Sequence, residues 1–72
     1  MAVGRVTKIT ASSSNNFQEA IDLGLERAAQ TLREITGLEV ISQKATVVDG
    51  AIAEYHATIE VTFWLEGQGG KP

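Results

Sequence analysis

Between residues 51 and 66 apolar side chains recur at every second position. Ala51, Ala53, Tyr55, Ala57, Ile59, Val61, Phe63 and Leu65 form one set, and Ile52, Glu54, His56, Thr58, Glu60, Thr62, Trp64 and Glu66 form the other. Side chains of a strand alternate between the two faces of a sheet, so the pattern predicts one long strand with a dry face and a wetter one. Its length, about twice that of an ordinary strand, suits the centre of a sheet. Upstream the period changes. From Phe17 onward Ala20, Ile21, Gly24, Leu25, Ala28, Leu32 and Ile35 share a stripe opposite Glu19, Asp22, Glu26, Gln30 and Arg33, which predicts an amphipathic helix ending near Ile35.

The remaining segments fall around these two. Residues 3–10 are rich in β-branched side chains and predict a first strand. The run 11–16 (ASSSNN) consists mainly of residues that compete for backbone hydrogen bonds, with Ser13 the expected helix N-cap. Gly37 is placed to terminate the helix in the left-handed conformation, and Gly24, on the buried stripe, implies a close backbone approach. Residues 38–48 predict a second strand with Leu38, Val40, Ser42, Lys44, Thr46 and Val48 on one face, and neither of its faces is cleanly polar. Asp49-Gly50 is a strong hairpin signal joining it to the long strand. The expected fold is α+β: a β-α-β-β subunit whose three-stranded antiparallel sheet has the last strand central and one helix packed on it. The sheet face carrying Ile52 and Trp64 then lacks a cover within the chain, which invites self-association.

Size sharpens that expectation. A chain of 72 residues, 43% hydrophobic, is one small domain, here residues 1–66, followed by a tail at 67–72 expected to be mobile. Such a domain removes only about 60% of its unfolded surface from water. With no cysteine to form a disulfide or a thiolate metal site, oligomerisation is the remaining way to stabilise it. A net charge of −3 with six scattered Lys and Arg argues against nucleic acid as a partner. No apolar run is long enough for a membrane span and no signal-peptide order opens the chain, so a cytoplasmic location without a membrane partner is expected.

Candidate chemistry is sparse. His56 is the only histidine, so neither a histidine metal cluster nor a Ser-His-Asp arrangement follows from the sequence. Glu54, Glu60 and Glu66 share its face and read as a solvated or intersubunit charged surface; repeated around a symmetry axis they could hold a hard cation. Trp64, the single tryptophan, reads first as an interface anchor and second as a stacking platform for a flat ligand. Nothing here points to an enzyme.

The Ser-rich turn at Ser12-Ser13, the helix segment 25–33 (LERAAQTLR), Glu39-Val40, Glu54-Tyr55-His56 and the run 59–66 (IEVTFWLE) together resemble the dodecins over residues 3–66. The resemblance implies a homododecameric shell of cubic symmetry that stores or protects a small ligand without catalysis. The ligand would be flavin (FMN or riboflavin) by family default; a divalent cation such as calcium, or a purely structural assembly, is the alternative. Where flavin-binding relatives carry a stacking tryptophan just after the helix, this chain has Gly37. It is therefore similar to a tryptophan-less branch, and the lost ring would weaken flavin affinity by several kcal/mol. By the same resemblance His56 stands where a glutamine meets the ring edge, and Lys44 where an arginine meets the phosphate. Ser42 shares the face of Lys44 and would meet ligand hydroxyls. The implied ligand-binding residues are Gly37, Ser42, Lys44 and His56, with Trp64 too far along the last strand to replace the missing ring.

Overall fold

The computed structural model describes residues 3–65, so Glu66 and the tail at 67–72 lie outside the described residues. Four elements follow one another: β1 (Gly4–Ser13), α1 (Phe17–Ala29), β2 (Ile35–Val48) and β3 (Ala51–Trp64). The sheet order is β1-β3-β2, with β3 antiparallel to both neighbours, which is the expected topology. The β2–β3 turn places Asp49 at φ 53° and Gly50 at φ 79°, the two positive values a tight hairpin turn requires.

The core lies between α1 and the odd-numbered face of β3. Ala57, Ile59 and Val61 are buried there with Ala20 and Ala28, and Ile9, Ile21, Leu32 and Ile35 pack around them. The small residues explain how close the helix comes. A Cβ on Gly24 would stand 3.3 Å from both the Ala11 Cβ and the Ile59 Cδ1, so helix backbone rests almost directly on the sheet. Phe17 opens the helix with an edge-to-face contact on Tyr55, ring centroids 5.0 Å apart.

Both helix ends differ from the sequence expectation. Asn16, not Ser13, is the N-cap: its extended backbone (φ −168°, ψ 170°) lets the side-chain oxygen accept the Glu19 N–H at 2.7 Å. Ser13 instead ends β1, buried, where its hydroxyl donates to the Glu19 carboxylate and accepts the Asn15 N–H at 2.9 Å. At the other end the helix stops at Ala29, six residues before Ile35. Glu34 takes the left-handed conformation (φ 60°) assigned to Gly37, and its carbonyl accepts the Trp64 N–H at 3.1 Å. The chain is thus captured by β3, and Ile35 begins β2 opposite Phe63. Leu32 and Ile35 still reach the core, since a helical stripe and an incoming strand aim them the same way.

β2 is not a uniform ribbon. Counted back from the turn, Val48 faces Ala51 and Val47 faces Ile52; register shifts then occur between Thr46 and Val47, between Val40 and Ser42, and between Ile35 and Gly37. Leu38 and Val40 consequently lie opposite Val61 and Ile59, on the helix side, whereas Ser42 and Lys44 lie opposite Thr58 and His56, on the other. The single face expected for these four residues is therefore split at Ile41. This explains why neither face of β2 looked cleanly polar.

Candidate functional site: the helix-free face of the sheet

The face of β3 turned away from the helix is arranged in rows that cross all three strands. Reading along β3, His56 stands between Ser12 and Lys44, Thr58 between Thr10 and Ser42, Glu60 between Lys8 and Glu39, and Thr62 between Val6 and Gly37. Residues directly opposite on antiparallel strands have Cβ atoms about 4.5–5.5 Å apart, so each row is a set of neighbours. The hydroxyls of Thr10 and Thr58 are 2.9 Å apart, and His56 Nε2 lies 3.5 Å from a Glu54 carboxylate oxygen. His56, Thr58, Glu60 and Thr62 are half-buried by their neighbours, and among the described residues no helix or further strand lies over them.

Three of the four sequence-selected residues come together here. Lys44 is the direct cross-strand partner of His56, and Ser42 occupies the adjacent row. The set joins one ammonium, one imidazole and several hydroxyls, a donor-rich patch suited to a ligand with an anionic group and hydroxyls. Gly37 is elsewhere. It pairs with Thr62, six residues from His56 along β3 and so roughly 20 Å away at about 3.4 Å per residue. A Cβ at Gly37 would meet nothing within 4 Å, so the space above it is open. Within one subunit a flat ring near Gly37 does not also touch His56; a ligand using both needs an extended tail or a second copy of the chain.

Sequence reasoning missed two parts of this face. Ser12 and Thr10, assigned to a turn and a strand end, complete the rows of His56 and Thr58 from β1. Trp64, judged remote from Gly37, is in fact beside it. Gly37 is opposite Thr62, two residues from Trp64 on the same face, and the indole Nε1–H donates to Thr36 Oγ1 at 2.9 Å. The signal was present, because counting the hairpin register back from Asp49-Gly50 already sets Gly37 opposite Thr62. Where α1 ends early, Thr31, Leu32, Arg33, Phe63, Trp64 and Leu65 line an open cleft of about 250 Å³ at the end of β3. Among the described residues no three acidic, histidine or cysteine side chains gather as a metal site, and no helix is long and apolar enough to cross a membrane.

Known proteins share this fold. The family model described as Dodecin matches residues 3–66. A dodecin of Thermus thermophilus is 33% identical over 67 residues, spanning 89% of this chain and 97% of that protein. The solved dodecin from Streptomyces davaonensis superimposes with a TM-score of 0.85 at 35% identity, covering 90% of this chain and 96% of the other. A calcium dodecin from Mycobacterium tuberculosis, described as calcium-chelating with a novel calcium-binding site, gives a TM-score of 0.78 at 26% identity, with 96% and 99% covered.

Proposed function

The chain belongs to the dodecin family, and on that premise we propose that it is a non-enzymatic shell of twelve identical subunits that holds a small ligand in the cytoplasm, flavin being the first candidate. The observation that carries the ligand reading is the juxtaposition of Lys44, His56 and Ser42 on a face that no other described residues cover. In that setting Lys44 offers a point charge to a phosphate, Ser42 a hydroxyl to a ribityl chain, and His56 one donor and one acceptor to a ring edge.

Self-assembly is supported by apolar side chains the fold leaves exposed. α1 lies over β1 and β3 and scarcely reaches β2, so Leu38, Val40 and Ile41 remain uncovered, as do Val47, Val48 and Ile52 at the hairpin end. A domain this small gains most by burying them against further copies.

A second reading rests on Glu39 and Glu60, which stand directly opposite each other. Lys8, opposite Glu60 on β1, offsets part of the repulsion between these like charges, and a divalent cation would relieve the rest. Two carboxylates are too few for calcium, so further ligands would come from other copies or from water.

Native mass spectrometry combined with a flavin titration tests both parts. A mass of twelve subunits and quenching of FMN fluorescence are expected; a monomer or dimer overturns the shell. A shell that ignores FMN yet retains calcium through desalting transfers the weight to the Glu39–Glu60 reading.

A further inference from the structure

We propose that the indole of Trp64, laid across the end of the helix-free face between Gly4 and Thr36, is a stacking platform for a planar aromatic ring, with Gly37 leaving the room beside it. The proposal deepens the ligand reading above and rests on it.

Three observations converge on this ring. Its benzo edge lies against Gly4, its β1 partner, where a Cβ would come within 3.0–3.1 Å of Cζ3 and Cε3. The opposite edge donates from Nε1 to Thr36 Oγ1 at 2.9 Å, on the other flank of β3. Outer strands on either side of a central one are roughly 10 Å apart, and a ring touching both flanks lies across the sheet and does not stand up from it. Gly4 is thus the residue that lets the indole settle. Trp64 as a whole is left half-exposed, and a Cβ on nearby Gly37 would meet nothing within 4 Å.

A side chain anchored at both edges has already lost its rotamer freedom, so stacking on it costs little further ordering. Rings stack on tryptophan without needing a particular pattern of donors. The ligand class follows: a flat, largely uncharged heteroaromatic ring that extends beyond the indole over Gly37. Polar groups attached to it would be read at the Lys44 end or by another copy.

Trp64 is the only tryptophan, so its emission reports this site alone. The assembled protein is titrated with lumichrome, a flavin ring without side chain, and with riboflavin, following both indole and ligand emission. Saturation should quench Trp64, and W64L should weaken lumichrome binding about tenfold or more, the scale of a lost ring-on-ring stack. Riboflavin binding without indole quenching, or with unchanged affinity in W64L, overturns the platform while leaving the ligand reading intact; that is the result if Trp64 is instead buried against another copy. Failure of native protein to bind either compound overturns both. The quenching readout needs no variant and holds even if W64L fails to assemble.

Discussion

The two faces of β3 are built from alternate residues of the same strand, yet they are almost opposite in character. On the helix side Ala57, Ile59 and Val61 are exposed by no more than 1%. On the other side His56, Thr58, Glu60, Thr62 and Trp64 are only half-buried. One face has spent its chemistry on close packing. The other keeps its hydroxyls, charges and indole available because no helix arrives to exclude water. With one helix among the described residues, only one face of the wide sheet is covered, and the other keeps its polar side chains half-exposed.

The contrast can be broken most sharply at two neighbouring residues. Ile59→Ala removes a fully buried side chain and should cost about 2–5 kcal/mol, whereas Thr58→Val, one residue away, should cost about 1 kcal/mol or less. Urea unfolding of both variants checks this; equal losses would mean that the helix-free face is as tightly packed as the core.

The same substitution at two glycines gives a smaller difference. Gly24→Val drives a branched side chain into Ala11 and Ile59 and should destabilise by about 1–3 kcal/mol. Gly37→Val enters open space in a strand and should be neutral or stabilising by up to about 1 kcal/mol. Thermal melts measure the pair. If Trp64 is the stacking platform, Gly37→Val also weakens lumichrome binding, since it fills the space beside the indole.

The smallest effect lies at the helix start. Hydrogen bonds from Ser13 first and Asn15 second hold the Glu19 pKa below its ordinary 4.5. A depressed carboxylate contributes stability that is present above about pH 4.5 and is lost as pH falls through the lower, folded-state value. Glu19→Gln should therefore flatten the acid limb of a stability–pH curve while leaving its alkaline side parallel to that of the native protein. An acid limb of unchanged slope would assign the pH dependence to other carboxylates.

Much of this was legible along the chain. Alternation from Ala51 to Trp64 fixed the central strand and its dry face, the stripe from Phe17 through Ala28 fixed the helix, and Asp49-Gly50 fixed the hairpin and with it the strand order. These depend on local periodicity and turn chemistry, which act within a few residues. The resemblance singled out Lys44 and His56, with Ser42 on the face of Lys44, and the register sets the three in adjacent rows.

What required the tertiary structure were the places where two local readings agree and only a distant partner chooses between them. Leu32 and Ile35 reach the core whether helix or strand carries them, and it was pairing with Phe63 that ended α1 at Ala29. Val40 and Ser42 would share a face in any regular strand, and only the shift at Ile41, visible against β3, sends them to opposite sides. The hairpin count already put Trp64 near Gly37, but that its indole lies against Gly4 and donates to Thr36 appears only in the folded chain. Local sequence sets what each segment can be at an energy scale of tenths of a kcal/mol per residue, and burial against a partner, worth several times more, decides among the possibilities that remain.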